Sequence, residues 1–229
     1  MPCIAVNSSI LTTPVPVAGD KEIIYDKKNN KPAYEGMVDY WYEYHYSGLF
    51  IDHSLLTDIP DGANIYKVAI QVKNTTNGTY PENDVDIYMA NVPSSYTEFP
   101  SNMKINLTSD TGSNWNSDLI NVTQVSTLAN YTYQQVSADP NINWKPEFPF
   151  NTTSFTHSAG NNILLMFNGG DGNSVGGSAS NPKHRGQKLT GTPLRRWVFQ
   201  NKISGPRYAS NQVVNTDNTF IPNIKLFWN

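Results

Sequence analysis

A single cysteine, Cys3, stands in a chain of 229 residues, so no intrachain disulfide can brace the fold. Charge is scarce as well. Asp, Glu, Lys and Arg make up 15% of residues, against roughly 25% in an average globular protein. No run of about 18 apolar residues occurs, which leaves no candidate transmembrane helix and no expected membrane insertion. The opening MPCIAVNSSILTTPVPVAGD has neither a basic start nor a long apolar stretch, so no secretory signal is read there. No 3.6-residue apolar period runs longer than about two turns, and no internal repeat is found. The four histidines, His45, His53, His157 and His184, lack metal-ligand spacing. Each is expected to be a solvated or hydrogen-bonded surface residue.

What the chain has in quantity is aromatic and amide side chains. The 13 Tyr, 9 Phe and 5 Trp supply core material despite the low charge. A domain of this size buries about 70% of its unfolded surface and needs no covalent staple. Tyr40, Tyr42, Tyr44 and Tyr46 alternate with Trp41, Glu43 and His45, which puts the tyrosines on one face of an extended chain. Aromatic residues suit such a pleated surface.

Strand signals recur from Gly36 onward. Tyr66, Val68, Ile70 and Val72 alternate with Lys67, Ala69, Gln71 and Lys73, giving one buried face and one wet face. Val85, Ile87 and Met89 alternate with Asp84, Asp86 and Tyr88. Residues 118–136 hold one or two polar strands, 142–150 another, and 195–200 another. Ile163 to Phe167 is continuously apolar, as in a strand covered on both faces. Ile224, Leu226 and Trp228 against Lys225 and Phe227 close the series. Asn74 to Asn83 and Lys27 to Pro32 read as exposed turns, and residues 54–59 have room for one helical turn. Pro14 and Pro16 keep the first segment extended. The division expected is an N-terminal arm or docking segment, 1–35, followed by one antiparallel all-β sandwich of jelly-roll type, 36–229.

No catalytic set assembles. Gly172-Asn173-Ser174-Val175-Gly176 matches the nucleophile-elbow pattern, but the following GGSASNPKHRG cannot start the helix that exposes such a serine. Asp171 and Asn173, in NGGDGNS, offer oxygen ligands for a structural calcium, as Asp84 with Asp86 would, although neither has the spacing of a known calcium loop. No other cofactor is expected. Between Gly172 and Thr216 there is no Asp or Glu, while Lys183, Arg185, Lys188, Arg195, Arg196, Lys202 and Arg207 fall there. Such a block suits an anionic neighbour or glycan; with a net charge of -3 and no nucleic-acid motif, nucleic acid is not the expected partner. Candidate ligand-binding residues are Trp41 and His45 on the aromatic strand, with Arg195 and Arg196. Tyr and Trp rings stack on sugars and anchor interfaces. Seven Asn-x-Ser/Thr triplets occur, but 28 asparagines in a chain this rich in Ser and Thr give roughly five by chance.

From about Gly36 to Asn229 the motifs run in a suggestive order: YEYHYSGLFIDHSLL, NIYKVAIQV, DVDIYMANV, WKPEFPFNTTSF, NNILLMFNGG and FIPNIKLFW. In this order the chain resembles the jelly-roll modules of bacterial surface proteins related to cleaved-adhesin and galactose-binding-like domains. The resemblance implies a non-enzymatic sandwich used in adhesion or carbohydrate binding, sometimes with structural calcium. Lack of a signal and of disulfides in an extracellular-looking composition points instead to a virion, assembled in the host cytoplasm. The function expected is that of a bacteriophage decoration, spike or fibre subunit, contacting other virion subunits as a homo-oligomer. Host-surface glycans are a further expected partner. The alternative is a carbohydrate-binding adhesin module outside the cell or on its surface.

Overall fold

The computed structural model describes residues 17–25, 30–32, 44–73, 78–81, 84–98, 104–105, 120–129, 132–135, 144–169, 183–188, 197–202, 212–213 and 220–229. Strands β1 (Gly19–Ile23), β2 (Asn30–Pro32) and β3 (Tyr44–Ile51) precede a 3-10 turn at His53–Leu55. Next come β4 (Asn64–Lys73), β5 (Gly78–Pro81), β6 (Asp84–Val92) and β7 (Lys104–Ile105). The middle of the chain forms β8 (Ile120–Ala129), β9 (Thr132–Gln135), β10 (Trp144–Pro149), β11 (Phe155–Thr156) and β12 (Asn162–Gly169). The last third holds β13 (Lys183–Lys188), β14 (Trp197–Lys202), β15 (Gln212–Val213), β16 (Phe220–Pro222) and β17 (Ile224–Trp228). Among the described residues no helix is long and apolar enough to cross a membrane.

All pairings are antiparallel. The first sheet runs β1-β17-β4-β13-β16, with β10 and β11 also on β4 and β2 on β13. The second runs β14-β3-β12-β6-β8, and β7-β15 and β5-β9 form two small ribbons. The two large sheets share one apolar cluster. Ile65, Val68, Ile70, Phe148, Leu226 and Trp228 come from the first, and Leu49, Ile51, Ile87, Met89, Leu165 and Phe167 from the second. Phe148 meets Phe167 edge to face across the gap, ring centroids 5.0 Å apart. The chain is therefore all-β and sandwich-like.

The alternation read in β17 holds: Ile224, Leu226 and Trp228 are buried, and Lys225 and Phe227 are half-buried. In β12 every residue is buried. Ile163, Leu165 and Phe167 join the shared cluster, while Leu164 and Met166 point the other way and are equally closed to solvent. A strand with no wet face carries no polar alternation, which is why its sequence is an unbroken apolar run.

Several readings differ locally. Tyr66 does not lie with Val68 and Ile70. The register slips between Phe227 and Trp228 opposite it, so Ile65 takes the core position and Tyr66 is 39% exposed. Asp86, which alternates with Val85 and Ile87 in the sequence, is buried like them, opposite Asn168. Gly78–Pro81 is a strand rather than turn, because Thr132–Gln135 arrives to pair with it. Likewise Asn30–Pro32 pairs with Lys183–Arg185. In the segment expected to be an arm, β1 lies along β17. Gly19 is required there, since a Cβ would sit 2.6 Å from the Trp228 ring, whose Nε1 donates to the Val17 carbonyl at 2.9 Å.

Candidate contact surface

The solvent face of the first sheet is built by period-two placement. β1 contributes Asp20 and Glu22, β17 contributes Lys225 and Phe227, β4 contributes Lys67, and β10 contributes Glu147. The Lys67 ammonium sits 4.0 Å from the centre of the Phe227 ring, and that of Lys225 5.2 Å. Each ammonium is also ion-paired: Lys67 with Glu147 at 3.2 Å, Lys225 with Asp20 at 2.9 Å and Glu22 at 3.6 Å. Two cations against three carboxylates leave this face near neutral. The Tyr66 ring lies beside Phe227, centroids 6.5 Å apart. Phe227 is covered by the lysines, whereas Tyr66, 39% exposed, is a ring on this face open to a partner. At the sheet edge Lys21 pairs with Asp58, and its ammonium holds that carboxyl below its ordinary pKa.

One end of the sandwich is closed by loops that buried asparagines tie together. The Asn162 carbonyl oxygen accepts from the His53 backbone N–H at 2.8 Å, and its amide donates to the carbonyls of Pro93 at 3.0 Å and Tyr96 at 2.9 Å. Asn91 donates to the Thr156 carbonyl at 3.1 Å and accepts from Ser158 N–H at 3.2 Å. Both are fully buried. An amide carries a donor pair and an acceptor, so one side chain substitutes for a peptide unit where two loops meet. Asn223 does the same inside the first sheet, accepting from Tyr25 N–H and donating to Gln71 Oε1, each at 2.8 Å. At the rim, Asn151 accepts from Thr127 N–H at 2.9 Å and donates to the Thr127 carbonyl at 2.7 Å, as a strand residue would.

His157 belongs to the same end. Its N–H donates to the Ala63 carbonyl at 2.8 Å, and its own carbonyl accepts from Gly62 N–H at 3.0 Å. The side chain is buried, with no hydrogen-bond partner at Nδ1. Burial pushes its pKa below the ordinary value of 6.5, partly offset by the Asp61 carboxylate. This corrects the expectation of a surface histidine. His53, by contrast, is exposed and hydrogen-bonded as expected.

Of the residues singled out in the sequence, Trp41, Asp171, Asn173, Arg195 and Arg196 lie outside the described residues. His45 lies in β3, opposite Gly169 on one side and Asn201 on the other; its side chain is outside what is described. The asparagine ties were missed. Their signal was asparagine at the ends of apolar strands, in NNILLMF, DVDIYMAN and FIPNIKLFW, to which no role was assigned. Among the described residues no group of three or more His, Cys, Asp or Glu is placed to hold a metal. Compared with known proteins, the chain matches no family model, no curated protein and no solved structure.

Proposed function

We propose that the chain is a jelly roll acting as a non-enzymatic contact protein of a virus particle, a bacteriophage decoration, spike or fibre subunit. The observation that carries this reading is strand order. A jelly roll with strands lettered B to I in chain order has sheets B-I-D-G and C-H-E-F, a frame used by capsid and lectin domains. Taking β1, β3, β4, β6, β8, β10, β12 and β17 as B to I, the sheets β1-β17-β4-β10 and β3-β12-β6-β8 follow that order. β13 to β16 then form an insertion before the last strand. The resemblance to cleaved-adhesin and galactose-binding-like modules is part of the same proposal. Many weak contacts on one particle would add avidity without strong single sites.

Tyr66 favours the second reading, a carbohydrate-binding adhesin module, since an exposed ring beside carboxylates and ammonium groups suits a sugar. Mass spectrometry of density-purified particles from the source culture separates the two. Stoichiometric recovery at many copies per particle supports the virion role. Absence from particles, with glycan binding that Tyr66→Ala abolishes, replaces it with the adhesin.

A further inference from the structure

We propose that His157 is an acid-sensitive latch, whose protonation releases the loop between β11 and β12 from the loop between β3 and β4 and opens that end of the sandwich. The inference is independent of the proposed function and rests on how His157 is held. Both of its backbone groups bond to the facing loop, at Gly62 and Ala63, so a backbone movement that carries the ring toward water loosens that seam. His157 is 2% exposed, and among the described residues its Nδ1 has no hydrogen-bond partner, so an N–H formed there has no acceptor. A buried cation without a partner is costly, so an imidazolium here must reach water or draw in a carboxylate. The carboxylate acting on it is Asp61, and Asp61 Oδ1 already accepts from Ala159 N–H at 2.9 Å. Either outcome breaks a bond that joins the two loops.

Among the described residues, the other charged groups at this end are Asp52, Asp58 and Glu98, with His53 beside them. Asp52 caps the 3-10 turn and lies 3.6 Å from His53 Nδ1, Asp58 is ion-paired to Lys21, and Glu98 follows the turn at 93–96. The Asn162 ties to His53, Pro93 and Tyr96 do not titrate and hold their loops, while the Asn91 bond to Ser158 N–H lies within the segment that opens. Opening is therefore confined to 157–161 and 61–63, with β12 and β6 left in place.

The sign follows from the direction of the shift. Closed, His157 stays neutral below its ordinary value of 6.5; open, it takes up a proton near that value. Closure is fully stable above pH 6.5 and weakens as pH falls, about tenfold per unit, until the closed form also protonates. The test is hydrogen exchange followed by NMR from pH 7.5 to 5, with protection corrected for intrinsic rates. Protection at Gly62 and Ala159 should fall about tenfold per unit below 6.5, while Ile70 and Leu165 hold theirs. His157→Gln should flatten the profile, and His53→Gln should leave it unchanged. A flat wild-type profile, or the same slope in His157→Gln, overturns the latch. If His157→Gln does not fold, the imidazole titration decides. Asp61→Asn should move the His157 pKa further down, and an unchanged or raised value overturns the proposal.

Discussion

The two sheets turn very different outer faces away from their shared core. On the first sheet that face carries Lys67, Lys225, Asp20, Glu22 and Glu147 around Phe227, with both of these ammonium groups ion-paired. On the second, Phe50, Leu164, Met166 and Ala90 occupy the equivalent positions and are closed to solvent. This part of the first sheet is a boundary, whereas β3, β12 and the adjoining end of β6 in the second form an interior layer. The difference teaches where stability is concentrated: in the second sheet both faces contribute apolar burial, worth about 25 cal/mol per Å² removed from water.

The sharpest way to break this comparison uses two neighbours of one residue type. Leu164 and Leu165 point to opposite faces of β12 and are 1% and 0% exposed. Each replaced by alanine should cost about 2–5 kcal/mol in urea unfolding. A cost below about 1 kcal/mol at Leu164 alone would show that the outer face is not an interior layer.

The same contrast explains how much was legible beforehand. A strand with one wet face announces itself, so β17 was readable from alternation; alternation also marked β6 as a strand although its Asp86 is buried, and the continuous run in β12 marked a strand covered twice. Pairing that arrives from far along the chain was not readable. Gly78–Pro81 looked like turn because its partner, Thr132–Gln135, lies far downstream. Tyr66 was misplaced because a bulge depends on the register of β17, and local alternation carries no record of it. The candidate site was less legible than the fold. The aromatic strand pointed to surface rings, yet Phe227 is covered by its own lysines and Tyr66 is exposed by the bulge. The composition showed asparagine in excess, but whether an amide ties loops or merely turns the chain depends on what lies opposite.

That dependence gives a middle-sized effect. Asn162→Ala strands the His53 N–H and two carbonyls in a buried site and should cost about 1–3 kcal/mol. Asn151→Ala at the exposed rim should cost about 1 kcal/mol or less, because water can take over both bonds to Thr127. Equal losses would mean that burial is not what gives these amides their weight. Thermal unfolding of the two variants side by side reads the difference.

The smallest effect is expected where the surface looks busiest. Lys67 and Glu147 form an ion pair whose side chains are 23% and 35% exposed, and water screens them. A double-mutant cycle should return a coupling of about 0.2–1 kcal/mol, shrinking as salt rises. Lys67→Met keeps the aliphatic stem over Phe227 and removes only the charge, so it separates packing from electrostatics. If Lys67→Met is close to neutral while Lys67→Ala is not, the lysine serves this face mainly as a cover for its ring. A coupling well above about 1 kcal/mol, insensitive to salt, would instead make the charged face as structural as the apolar one and erase the distinction between the two sheets.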